Sequence, residues 1–166
     1  EILYWCGIRE GELLALSKDD FDLGKKTLTI SKSFQRLKGK DYITSPKTEK
    51  SNRTIQLPQF LCDEMSDFFG MYYHLDSKAR LFTFTKSYLH HEMDRGCKLS
   101  GVKRIRVHDL RHSHASLLLS LGMNDLELQN RLGHTDISTT LGTYSHLRPT
   151  AMKEVADKLD GVLSIK

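Results

Sequence analysis

The sequence predicts an α+β fold, mainly helical, with a small three-stranded antiparallel sheet near its N-terminal side. Three observations carry that expectation. Apolar residues recur at helical spacing over the first 16 residues and again from residue 58 onward. Period-two alternation is confined to residues 20–57. Turn signals at Gly24, Gly39 and Ser51-Asn52 divide that middle stretch, and Gly101, Gly122 and Gly133 end the later helical ones.

Residues 1–16 read as an amphipathic helix carried by Leu3, Leu13, Leu14 and Leu16, interrupted at Gly7 before Arg9. Residues 27–30 alternate, 41–44 are short and β-prone, and 53–57 alternate again, with turns at Gly24, Gly39 and Ser51-Asn52. These three segments make the expected sheet. Pro58 suits the first turn of a helix bearing Leu61, Met65, Phe68 and Phe69. Residues 81–84 read as a short extended segment, and a polar helix from about 87 to 98 ends near Gly101.

From residue 108 the pattern is helical again. Asp109 lies in a first turn, Leu110, Leu117, Leu118 and Leu121 form the apolar face, and Gly122 stops the helix. Asn124 or Asp125 caps a short helix that Gly133 ends. Thr135 or Asp136 caps a third, which carries Tyr144. A last helix after Pro149 bears a sparse stripe of Met152, Val155, Leu159 and Val162.

At 166 residues the chain fits one domain able to bury a core without disulfides or metal. The abrupt start on Ile2, Leu3 and Tyr4, with no cap before them, predicts a single domain over 1–166 that is truncated at its N-terminus. No apolar run approaches a membrane span and no signal-peptide pattern is present. Cys6, Cys62 and Cys97 are odd in number and form no CxxC pair, which predicts reduced thiols in a cytoplasmic protein. The net charge of +4 permits nucleic-acid binding without establishing it. Its placement says more: Lys25, Lys26, Lys32, Arg36, Lys38, Lys40, Lys47, Lys50 and Arg53 form one basic stretch, and Lys98, Lys103, Arg104 and Arg106 another. Either is a DNA-facing surface or a solvated charged face.

Four segments can carry chemistry. In Gly7-Ile8-Arg9-Glu10-Gly11-Glu12, an arginine after a helix-breaking glycine can point into a cleft, and Glu12 three residues on can hold it. The alternative is a surface ion pair. Lys47, in Ser45-Pro46-Lys47-Thr48, is either an exposed hairpin lysine or a proton donor to a leaving oxygen. In His108-Asp109-Leu110-Arg111-His112-Ser113-His114, the i, i+3 spacing lets His108 and Arg111 face one phosphate. A metal site competes there, but no nearby Glu or Cys completes a ligand set, and packing or a role at the helix N-terminus is the third reading. Finally, His134 precedes Tyr144 by ten residues, so a turn and a helix can return both to one cleft. A buried, hydroxyl-bonded tyrosine is the plainer reading of Tyr144 taken alone.

Together these segments supply two arginines, a lysine, two histidines and a tyrosine hydroxyl, a set suited to metal-free phosphoryl transfer. Arginines bind a phosphate bidentately and offset charge on its oxygens. A hydroxyl whose ordinary pKa is about 10 needs such cations and a base to act at neutral pH.

In their order, Arg, Lys, His-x-x-Arg, His and Tyr, these residues resemble the tyrosine recombinase (phage integrase) family over nearly the whole chain. GIREGELLAL is similar to its first arginine box, SPKTEKSNRTIQLP to its β-hairpin lysine, and HDLRHSHASLLLSLG with LGHTDISTTLGTYSHL to its second box. The resemblance implies a catalytic domain that cleaves and rejoins DNA through a covalent 3′-phosphotyrosine at Tyr144, with no cofactor, metal or ATP. Arg9 and Arg111 would clamp the phosphate and His134 would bond it. His108 would take the tyrosine proton or bond a phosphate oxygen, Lys47 would protonate the leaving 5′-oxygen, and Glu12 would orient Arg9. The implied partners are double-stranded attachment-site DNA, other protomers in a tetrameric synapse, and accessory DNA-bending or excision proteins. The resemblance also implies core-binding and arm-binding domains, which are expected to lie outside this stretch of sequence. Two other readings stand beside this one, a non-catalytic DNA-binding domain and a metal-dependent nuclease built on the histidines.

Overall fold

The computed structural model describes residues 1–45 and 51–133. The opening apolar stretch is two helices rather than one: α1 (Ile2–Cys6) and α2 (Glu10–Ala15). Gly7 turns the chain in the left-handed conformation (φ 63°), and a Cβ there would overlap the His114 ring. Only glycine meets both demands without strain. Arg9, extended at φ −79° and ψ 153°, is the residue on which α2 starts, so its side chain leaves the line of either helix.

A 3-10 turn (Lys18–Asp20) leads to β1 (Phe21–Asp22), β2 (Thr27–Ile30), β3 (Ser33–Leu37), β4 (Lys40–Thr44) and β5 (Arg53–Gln56). The three-stranded antiparallel sheet is present, in the order β1-β2-β5, with Leu28 opposite Ile55. Its membership corrects the expectation. Residues 41–44 do not join it but pair with β3 in a separate hairpin, and the two-residue β1 takes their place. The hairpin turns on Lys38 and Gly39, both at positive φ (49° and 78°), the geometry that suits the twist of a two-residue connection. Its β3 strand lies on α2 at Gly11, where a Cβ would stand 2.6 Å from Ser33 Oγ and 3.0 Å from the Phe34 carbonyl. Phe34, buried with Leu14 and Ala15, seals that contact.

Helix α3 (Gln59–Gly70) starts after Pro58. Residues 81–84 are not a strand: a single bridge pairs Arg80 with Ser17, and the Arg80 guanidinium bonds the Leu14, Phe82 and Phe84 carbonyls. Helix α4 (Lys86–Ser100) begins at the Thr85 cap and stops at left-handed Gly101. The main core joins α1, α2, β2, β5 and α3 through Leu3, Cys6, Leu13, Leu28, Ile30, Ile55, Leu61 and Met65.

Helix α5 (Asp109–Ser120) departs from its expected apolar face. It buries Arg111, His114, Ala115 and Leu119, while Leu121, just past its end, is 73% exposed. Two polar residues lie on the inward face and interrupt the apolar period by which such a face is recognised. Ala115 and Leu119 pack against Leu128 and Leu132 of α6 (Asp125–Leu132). A reciprocal pair of hydrogen bonds between Asn124 and Glu127 caps α6, and Gly133 (φ 66°) ends it. The helices expected around Tyr144 and after Pro149 lie outside the described residues. Among the described residues, Cys6, Cys62 and Cys97 are free thiols, and no helix is long and apolar enough to cross a membrane.

Candidate active site

The last carbonyls of a helix have no partner within it and carry the negative end of its dipole. At the end of α6 three consecutive carbonyls each accept from a different arginine. Arg53 Nε donates to Arg131 O (2.9 Å), Arg111 Nη2 to Leu132 O (2.6 Å) and Arg9 Nη2 to Gly133 O (3.3 Å). The arginines come from β5, α5 and the start of α2. One helix end therefore gathers three guanidinium groups that the sequence holds far apart.

Glu12 binds two of them from the other side. Its Oε1 accepts from Arg9 Nη1 (2.8 Å) and Arg53 Nη1 (3.1 Å), and its Oε2 from Arg53 Nη2 (2.8 Å) and the Arg9 backbone N–H (2.8 Å). Burial alone would raise the Glu12 carboxyl, but the hydrogen bonds and charge of Arg53, followed by those of Arg9, hold it below the usual carboxylate range. The Arg53 side chain is 6% exposed and the Arg9 side chain 40%. Arg53 is thus sealed in, whereas Arg9 keeps an open side.

That open side borders a cleft of about 780 Å³, which Arg9 and His108 line together with Gly11, Arg36, Lys86 and Ser87. His108 stands immediately before α5. Burial, followed by the neighbouring His112 and Arg111, lowers its pKa, which favours the uncharged ring that can accept a proton. The His108 and His112 rings meet edge to face at 5.1 Å. Arg111 is only 3% exposed, and its Nη1 donates to the Gly7 carbonyl at 2.7 Å. It bolts the break before Arg9 to the end of α6.

His114 belongs to the core rather than the cleft. Its Nε2 accepts from Arg131 Nε at 3.1 Å, and Arg131 also donates to the Gln56 and Trp5 carbonyls. Burial, then Arg131 and Arg111, push the His114 pKa down to about 4. Between that value and the ordinary one near 6.5 the unfolded chain binds a proton that the folded chain refuses, so stability rises with pH across this window and is lost as pH falls through it. We expect His114 to remove about 2 kcal/mol of stability between pH 7 and pH 5. Urea titrations of the wild type and His114→Gln at both values check this. An equal loss in the two proteins would refute it. Among the described residues no three His, Cys, Asp or Glu side chains are placed to hold a metal ion.

Arg9, Glu12, His108 and Arg111 are therefore brought together, while Lys47, His134 and Tyr144 lie outside the described residues. His134 directly follows Gly133 in sequence. Sequence reasoning counted Arg53 only as one of a basic stretch and did not single out Arg131. The signal for Arg53 lies in its strand, where 53, 55 and 57 alternate inward and place it on the same face as buried Ile55 and Leu57.

The family model for the phage integrase family matches residues 1–151. The chain belongs to that family. It is 33% identical over 175 residues to the ICEBs1 integrase of Bacillus subtilis (strain 168), covering 98% of this chain and 48% of that protein. It is 28% identical to the integrase of Staphylococcus phage L54a, covering 96% and 50%. The chain thus spans about half the length of the curated relatives it matches. Its fold superposes on the Tn1549 transposon integrase in complex with a circular intermediate DNA at a TM-score of 0.82, with 24% identity, covering 95% of this chain and 56% of that one. A XerH site-specific recombinase bound to difH substrate gives a TM-score of 0.65 at 26% identity, covering 93% and 42%.

Proposed function

We propose that this chain is the catalytic domain of a site-specific DNA recombinase that cleaves and rejoins strands for integration or excision of a mobile element. The observation that carries the reading is Arg9, fixed by Glu12 and the Gly133 carbonyl yet open to a cleft that it shares with His108. A rigid guanidinium beside a base suits a phosphodiester bound in that cleft.

In this mechanism the Tyr144 oxygen attacks the scissile phosphorus. The new P–O bond makes a 3′-phosphotyrosine as the bond to the 5′-oxygen breaks. His108 accepts the tyrosine proton or bonds a phosphate oxygen, Lys47 protonates the leaving 5′-oxygen, and His134 bonds the phosphate. Arg9 and the buried charge of Arg111 offset the negative charge on its non-bridging oxygens. A 5′-hydroxyl of a partner duplex reverses the steps, so bond energy is conserved in the covalent link. The partners are double-stranded attachment sites and further protomers in a tetrameric synapse, assisted by accessory DNA-bending or excision proteins.

The test is incubation with nicked attachment-site DNA in EDTA, followed by denaturing gel electrophoresis. We expect a covalent protein–DNA adduct that disappears in Tyr144→Phe. Cleavage that needs a divalent ion and survives this substitution would identify a metal-dependent nuclease. Binding without cleavage would identify a DNA-binding domain.

A further inference from the structure

We infer that Arg53 is a positioning residue for DNA cleavage, setting the place of the Arg9 guanidinium through the Glu12 carboxylate they share. The inference rests on the recombinase reading above but adds a residue outside the arginine, lysine, histidine and tyrosine set to which that reading assigns the chemistry.

Arg53 does not face the cleft. Its side chain is 6% exposed, against 40% for Arg9, so Arg53 itself is closed off from a phosphate bound there. Its donors reach Glu12, which holds Arg9, and the carbonyls of Arg131 and Ser51. The two Nη atoms grip both Glu12 oxygens in a fork, at 3.1 and 2.8 Å, which fixes the carboxylate plane as a single contact does not. Oε1, bonded by one Arg53 Nη, also receives Arg9 Nη1 at 2.8 Å. A rotated carboxylate would carry Arg9 with it.

The second anchor of Arg9 is governed from the same place. Arg9 Nη2 bonds the Gly133 carbonyl, while Arg53 Nε bonds the Arg131 carbonyl two residues earlier. The Arg53 side chain also packs against Gly133, where a Cβ would stand 2.9 Å from Nη1. Arg53 therefore holds both supports of Arg9, the carboxylate and the helix end. A shift of about 1 Å in a group that binds reacting atoms costs on the order of 100-fold in rate.

Lysine at 53 keeps the positive charge beside buried Glu12 but loses the fork and the Nε bond to Arg131. For Arg53→Lys we expect a single-turnover cleavage rate on prebound nicked DNA about 30-fold below wild type, with Kd for DNA within about threefold and an unchanged circular dichroism spectrum. Because the effect passes through Arg9, it should shrink to less than about threefold in an Arg9→Ala background. Wild-type cleavage by Arg53→Lys would overturn the inference. So would an equal loss in the Arg9→Ala background, which marks a general structural role. Arg53→Met, scored by thermal melting, measures the folding contribution separately. If the wild type itself forms no adduct, the recombinase reading fails first. An active wild type with an indifferent Arg53→Lys removes only this inference.

Discussion

Arg111→Met is expected to destabilise the chain by roughly 2–5 kcal/mol and to abolish the covalent adduct. The substituted side chain fills much of the same space but cannot donate. The Gly7 and Leu132 carbonyls, now bonded at 2.7 and 2.6 Å, lose their donors in a buried setting. Each buried carbonyl left without a partner costs about 1–3 kcal/mol, more than the bond itself contributes net when made. The loss also unties the Gly7 break from the end of α6, which are the backbones on either side of Arg9. Urea denaturation followed by circular dichroism measures the stability, and the EDTA adduct assay the activity. A midpoint within experimental error of the wild type would show that other groups hold these segments.

Arg9→Ala should behave in the opposite way, costing activity and sparing the fold. Its side chain is 40% exposed, and exposed ion pairs contribute about 0–1 kcal/mol. Glu12 keeps its fork to Arg53, so no buried carboxylate is stranded. Removing a donor aimed at a phosphate in the cleft should lower the cleavage rate about 100- to 1000-fold. Single-turnover cleavage paired with thermal melting checks both halves. A large fall in melting temperature, or a rate within about threefold of wild type, would contradict the assignment.

What the sequence disclosed follows from how local each signal is. Gly7, Gly101 and Gly133 mark breaks and helix ends because positive φ is a property of one residue. The hairpin turn at Gly39 was legible for the same reason. The strands were harder. β1 is two residues long, and β3 buries one side chain, Phe34, while leaving Gln35, Arg36 and Leu37 exposed, so neither produces an alternation to detect. The inward face of α5 was hidden because Arg111 and His114 occupy it, and their burial depends on acceptors and donors from other elements.

The site divides along the same line. Arg9, Glu12, His108 and Arg111 were found from residue type and spacing, and the Arg9–Glu12 bond spans only three residues. The meeting of Arg53, Arg111 and Arg9 at the end of α6 spans separations of 78, 21 and 124 residues. No window along the chain contains it. Arg53 was visible only through its parity with Ile55 and Leu57, which a basic neighbourhood obscured.

The convergence on α6 also sets an order of events during synthesis. A ribosome delivers the chain from its N-terminus, and the carbonyls of residues 131–133 emerge after every arginine they anchor. Until then, of the partners they have in the folded chain, Arg9 and Arg53 have only Glu12 already synthesised and Arg111 only Gly7. A growing chain therefore holds no finished phosphate-binding frame until that helix has arrived.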